Sequence, residues 1–154
     1  MIKIRDFQPG DESAFRDLNI AWIEKYFGVE SEDIAQLEQV DETVFAKGGR
    51  VLLAEYNGDV VGTVALIPMT DGCVELAKMS AREDQRGKGI GRALMDAATR
   101  TARDMGADRI WIETNSSLGA ALSLYRSAGF VELASEHWHP TPYSRCNLQM
   151  LKRL

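Results

Sequence analysis

The chain is short of the residues from which metal centres and disulfide frameworks are built. Among 154 residues there are two cysteines, Cys73 and Cys146, far apart and without C-x-x-C spacing, which gives metal and redox readings little support. The two histidines, in His137-Trp138-His139-Pro140, have no carboxylate or cysteine beside them at ligand spacing, so no metal is expected. Long apolar runs are missing as well. Nothing approaches the roughly 20 residues that span a bilayer, so no membrane partner is expected. The segment Met1-Ile2-Lys3-Ile4-Arg5 alternates like a strand and lacks the basic, apolar and small-residue order of a secretory signal, which points to a cytoplasmic location. Repeats, low-complexity tracts and Pro/Gly/Ser-rich linkers are absent, so residues 1–154 read as a single domain able to bury roughly 70% of its unfolded surface. Positive charge is in deficit: 18 Lys and Arg against 23 Asp and Glu give a net charge of −5, with a pI near 5.1. That balance argues against nucleic acid as a partner, because phosphate binding needs a basic face.

What the chain does have is alternation of short periodic segments. After the first strand, Pro9-Gly10-Asp11 marks a turn and cap, and Phe15, Leu18, Trp22, Ile23 and Tyr26 recur at helical spacing until Gly28. Ser31 is expected to cap a second helix carrying Ile34, Leu37 and Val40. Arg50 to Tyr56 and Asp59 to Pro68 are β-rich runs joined by Asn57-Gly58, the dipeptide of a type I′ hairpin. Asp71-Gly72 makes another turn, and Cys73 to Ala81 then leads into a glycine-rich loop. The helix beyond it carries Ile90, Ala93, Leu94, Ala97, Ala98, Ala102 and Met105 on one stripe and stops at Gly106. Arg109 to Glu113 reads as a buried strand, Ala121, Leu124, Tyr125 and Ala128 as a helix face stopped by Gly129, and Phe130–Leu133 and Cys146–Leu151 as two last strands. The resulting α/β order is β-α-α-β-β-β-α-β-α-β-β.

Charge is unevenly spread. Six acids and no base lie from Glu30 to Glu42, whereas Arg82, Arg86, Lys88 and Arg92 gather around Gln85-Arg86-Gly87-Lys88-Gly89-Ile90-Gly91. A protein-bound diphosphate needs converging backbone N–H groups and favours the positive end of a helix. Gly87, Gly89 and Gly91 permit sharp turning and close approach, and the cations can add charge-assisted contacts. A Rossmann loop would place its third glycine one residue later, early in a βαβ unit, and a Walker A loop would need G-K-S/T; both fail on spacing.

Arg86-Gly87-Lys88-Gly89-Ile90-Gly91 matches the Q/R-x-x-G-x-G/A signature of the GNAT superfamily of acetyl-CoA-dependent N-acetyltransferases. Together with Ala121-x-x-Leu124-Tyr125-x-x-x-Gly129-Phe130 and the element order, it makes the whole chain resemble a small bacterial-type single-domain member. The resemblance implies the GNAT fold, a mixed but mostly antiparallel sheet of about seven strands with a splayed wedge for acetyl-CoA. The wedge would lie between Cys73–Ala81 and Arg109–Glu113. Met79 and Ala81 would pair their backbone with the pantetheine arm, and the amides from Arg86 through Arg92 would hold the pyrophosphate. Tyr125 matches the tyrosine that protonates the leaving thiolate in many such enzymes. Glu75, eleven residues before Arg86, sits at the offset of the base in histone-type members, while other members use Glu113-like positions or water chains. Where the common pattern has asparagine seven residues before the tyrosine, this chain has Leu118. Asn115, three residues earlier, resembles the variant T-N-x-x-L-x-x-A-x-x-L-Y and could bond the cofactor, the backbone or the start of the Tyr125 helix.

The expected reaction is transfer of acetyl from acetyl-CoA to a primary amine by direct attack. The acceptor is left open. The acids from Glu30 to Glu42 would suit a cationic amine, and Trp138, Tyr143 and Arg145 would suit a carboxylate-bearing or aromatic one. A catalytically silent acetyl-CoA sensor is the alternative reading, and homodimers through terminal strands, common in the superfamily, are left open too.

Overall fold

Strands with runs of consecutive buried residues must be covered on both faces, and β2 (Arg50–Tyr56) and β3 (Asp59–Pro68) carry such runs over 51–54 and 61–67. In the computed structural model, which describes residues 1–85 and 87–154, alternation deals their side chains to two separate cores. Leu52, Ala54, Val64 and Leu66 pack on one side with Leu94, Met95 and Ala98 of α4 (Ile90–Asp104). Val51, Leu53, Ala65 and Ile67 pack on the other with Phe15 and Ile23 of α1 (Glu12–Tyr26) and Leu37 of α2 (Ser31–Glu38).

The remaining elements are β1 (Ile2–Asp6), a short α3 (Val40–Thr43), β4 (Cys73–Ala81), β5 (Arg109–Thr114), α5 (Gly119–Ser127), β6 (Val131–Glu132) and β7 (Leu148–Arg153). Among the described residues the strands form one seven-stranded sheet in the order β1-β2-β3-β4-β5-β7-β6. Neighbours are antiparallel except β4 and β5. This is the expected mixed sheet, and the expected turns hold. Asn57 and Gly58 take φ values of 53° and 85°, the left-handed pair that a type I′ turn requires.

Three local expectations need correction. The second helix is capped by Glu30 rather than Ser31, because the Asp33 carboxylate accepts the Glu30 N–H at 2.9 Å and so satisfies the exposed end one residue earlier. The same helix does not run through Val40. Gln39 leaves helical geometry with φ −118° and ψ 47°, and α3 starts afresh, held by Thr43 Oγ1 donating to the Gln39 carbonyl at 2.8 Å. The last hairpin is shorter on one side and shifted on the other, since the buried Gln149 side chain fixes the loop between β6 and β7. Its Oε1 accepts from Trp111 Nε1 at 3.0 Å and from the His139 N–H at 2.8 Å.

The feature that positions the site is the β4–β5 pair. Its parallel register covers Cys73↔Arg109, Val74↔Ile110 and Glu75↔Trp111, after which the strands part. On its other edge β4 carries a bulge against β3, between the pairs Thr63↔Ser80 and Ala65↔Ala77. Lys78 there takes φ 53°. A bulge bends the strand that contains it, and here the bend lies beside the opening gap.

Candidate active site

The glycine loop meets the needs of an anion site by its backbone. Gly87 and Gly89 both have φ of 78°, and a Cβ on either would meet nothing within 4 Å, so the left-handed turns face open space. The first turn of α4 begins at Ile90 with no acidic residue and no side-chain cap, leaving N–H groups free for a ligand at the positive helix end. A Cβ on Gly91 would lie 3.2 Å from Leu124 Cδ2, so that glycine lets α4 approach α5. Lys88 donates to Gln85 Oε1 at 2.8 Å and lies 4.5 Å from the Tyr56 ring centroid. Arg92 donates to Ser127 Oγ at 2.9 Å. Both are on the surface beside the loop. Arg86 lies outside the described residues.

The gap supplies the second half of a cofactor site. Arg82 donates its N–H to the Val61 carbonyl on β3 at 2.7 Å. Since backbone groups alternate between the two edges of a strand, Ala81 presents its own on the opposite edge, toward the space that β5 has vacated, and Met79, in the bulge, lines the opening. An extended amide-bearing arm could pair there as a strand would. The open glycine turns, the uncapped helix and this free edge together fit a phosphorylated pantetheine cofactor.

The gap also joins the two faces of the sheet in a cleft of about 100 Å³. Glu75 shares a face with Ala77, which packs on the α1 side, and Glu113 follows Trp111, the register partner of Glu75, by one side-chain period. Both carboxylates therefore project on the α1 side. Tyr125 comes from α5 on the other side, its ring 6.0 Å from that of Phe130, and all three line the cleft. Burial, helped by the Glu113 charge, pushes the Glu75 carboxyl up to about 7. Burial raises Glu113 as well, against the pull of Thr141, Lys78 and Arg145, and its Oε2 is buried without a hydrogen-bond partner among the described residues. Burial pushes Tyr125 up to about 12.

Asn115 also lines the cleft, but its amide is engaged with the backbone. Nδ2 donates to the Arg145 carbonyl at 2.7 Å and Oδ1 accepts the Ser117 N–H at 2.8 Å. Trp138 is spent on the loop, donating to the Leu133 carbonyl at 3.0 Å, and does not line the cleft.

A charged knot in the cleft wall was not foreseen. Arg145 donates to both oxygens of the fully buried Asp33, at 2.8 and 2.6 Å, and to Glu30 at 3.1 Å. Lys78 donates to the Tyr143 hydroxyl at 3.0 Å and sits 3.5 Å from Asp33. Burial alone would raise the Asp33 carboxyl, but the Arg145 hydrogen bonds hold it below the usual carboxylate range.

The acetyltransferase (GNAT) family model matches residues 14–130. The chain belongs to the GNAT acetyltransferase family. It is similar to the uncharacterized N-acetyltransferase YjgM of Escherichia coli K12, with 34% identity over 122 residues, 77% of this chain and 72% of that protein. Matches to further N-acetyltransferase relatives span only 40% to 51% of those proteins. Its fold is that of a GNAT acetyltransferase from Staphylococcus aureus Mu50, with a TM-score of 0.90 at 21% identity over 99% of both chains. It is also that of a Bacillus subtilis acetyltransferase solved with CoA, with a TM-score of 0.74 at 22% identity over 100% and 99% of the two chains. Acetyl-CoA-dependent acetyl transfer is thus the reaction class of this GNAT protein, with acetyl-CoA the cosubstrate that the loop and gap fit. Among the described residues no helix is long and apolar enough to cross a membrane.

Proposed function

We propose that this GNAT enzyme acetylates a primary amine by direct attack, with Glu75 as general base and Tyr125 as general acid. The observation that carries this reading is the approach of Glu75 and Tyr125 to one opening from opposite faces of the sheet. Acetyl-CoA supplies the thioester carbonyl that the amine attacks and the sulfur that leaves. The amides of Gly87 to Gly91 at the start of α4 receive the diphosphate, and the Met79 and Ala81 backbone orders the pantetheine arm.

The amine must lose a proton to become nucleophilic. Near pH 7 Glu75 is about half ionised and can take it. As the C–N bond forms and the C–S bond breaks, the Tyr125 hydroxyl gives its proton to the sulfur, and the second proton that the nitrogen sheds restores the tyrosine. Its acidity is weaker than that of an exposed tyrosine, but the same dry cleft disfavours a thiolate as much as a tyrosinate. The reading is tested by CoA release over a panel of amines. Turnover is expected with at least one amine, with kcat reduced about 100-fold in both Glu75→Gln and Tyr125→Phe; full activity in both variants would refute it.

A further inference from the structure

On the basis of acetyl transfer as proposed above, the geometry points to the acceptor class: a primary alkylammonium with an apolar stem and no carboxylate beside its amine. The cleft contains both cations and carboxylates, and the decision turns on which of them are already answered. Arg145 is clamped by Asp33 and Glu30, and Lys78 is held between Asp33 and the Tyr143 hydroxyl. An incoming carboxylate would have to displace Asp33, which is fully buried and also accepts the Glu30 N–H that starts α2. Stripped of these partners, Asp33 would be left as an isolated buried charge. The two cations are therefore closed to a substrate.

The two carboxylates in the same cleft are less fully answered, although Thr141, Lys78 and Arg145 act on Glu113. Glu75 and Glu113 stand one side-chain period apart on the diverging strands, and Glu113 Oε2 is buried with no hydrogen-bond donor among the described residues. Two neighbouring carboxyls in a dry site favour a shared proton or a bound cation. An alkylammonium supplies both the charge and donors for the bare oxygen, and it delivers the proton that Glu75 must remove. Trp22 and Ile23 of α1 and Phe27 just after it complete the cleft on the same side, an apolar and aromatic wall suited to a stem next to a cation. Glu113 is the specificity determinant in this arrangement, and Glu75 binds and then deprotonates.

The test compares kcat/KM, by CoA release, for 2-phenylethylamine, n-butylamine, phenylalanine and Nα-acetyl-lysine methylamide. The first and third differ only by a carboxylate next to the amine. At least about tenfold preference for 2-phenylethylamine is expected. The butylamine and lysine arms separate a free amine from a protein side chain as the source of the same group. Glu113→Gln is expected to raise KM for the preferred amine about tenfold while kcat and the KM for acetyl-CoA change little, a split that a merely structural loss would not give. On the wild-type enzyme, 3-phenylpropionate is expected not to compete with the amine. Equal or better use of phenylalanine, or competition by 3-phenylpropionate, would overturn the acceptor class and leave acetyl transfer standing. No CoA release with any of the four would overturn both.

Discussion

Replacing Glu75 by glutamine removes the proton acceptor while keeping the shape of the side chain, and the size of the effect follows from two ionisations. An alkylamine with an ordinary pKa near 10.4 is free in only about one molecule in 2500 at pH 7, a handicap of about 4.6 kcal/mol. A base poised near 7 removes much of it, and general bases typically contribute about 10² to 10⁴ in rate. In the wild type, log kcat/KM should climb as Glu75 ionises and level off above about pH 7. In Glu75→Gln the amine must arrive already neutral, so log kcat/KM should keep rising by about one per pH unit toward the amine's own pKa. The deficit is therefore largest at and below neutrality and shrinks about tenfold for each unit above it. The charged groups acting on Glu75 are Glu113, Lys78 and Lys47. Of these, Glu113 raises it, so Glu113→Gln should move the wild-type inflection to lower pH. The assay is CoA release from about pH 5.5 to 9.5 with one saturating acetyl-CoA concentration. If Glu75→Gln kept an inflection near 7 and ran within about threefold of wild type throughout, the proton would be going elsewhere.

The same carboxyl gives a stability expectation of opposite sense. Its folded-state value lies above its ordinary value of 4.5, so the fold loses stability from this group as pH rises from about 4.5 through 7, by at most about 3 kcal/mol. Glu75→Gln should accordingly melt higher than wild type at pH 8, with the gap closing near pH 4, in a thermal melt across pH. Gly89→Ala forces a side chain into a left-handed turn at a cost of about 1 kcal/mol. Because the space beside it is open, the variant should fold and show its main defect as a smaller thermal shift with acetyl-CoA. Gly62→Ala should be worse for stability: its Cβ would stand 2.9 Å from Ile90 Cγ2 and 3.0 Å from Leu94 Cδ1. Wedging α4 off β3 should cost about 1–3 kcal/mol in urea unfolding. Arg145→Met leaves Asp33 with the Glu30 N–H and the more distant Lys78, and a loss of about 3 kcal/mol is expected by the same method.

What could be read from sequence was whatever a short stretch encodes by itself. The three glycines around Ile90, the Asn57-Gly58 turn and Leu124-Tyr125 are local patterns whose residue types are dictated by backbone geometry or helix spacing, and each lies in the loop, turn or helix expected of it. Gln39 interrupts α2 without glycine or proline to mark it, so periodicity alone runs the helix on. The knot in the cleft was illegible for a different reason. Asp33 and Arg145 are 112 residues apart, and each looked like a member of a rival set, an acidic stretch for a cation and a basic group for a carboxylate. Only their pairing shows that Asp33 and Glu30 answer Arg145, which in the acceptor class proposed above leaves Glu75 and Glu113 as the charges an amine would meet.

The parallel register of β4 and β5 explains why one opening can serve two ligands. Every other neighbour in the sheet is antiparallel, and the parallel register covers only three residue pairs before the strands part. Parting strands create two unpaired edges inside a sheet, where backbone donors and acceptors need partners as much as they do at an outer edge. In the function proposed above, the β4 groups are those of Met79 and Ala81, and a cosubstrate carrying amides along an extended arm would satisfy them while filling the gap from the α4 and α5 side. Filled in that way, the gap would bring the reactive end of that arm to the Glu75 and Glu113 face, where the proposed amine would meet it. Closing the gap by extending β4–β5 pairing beyond Glu75 and Trp111 would thus remove the open edge of β4 and the passage between the two faces in one step.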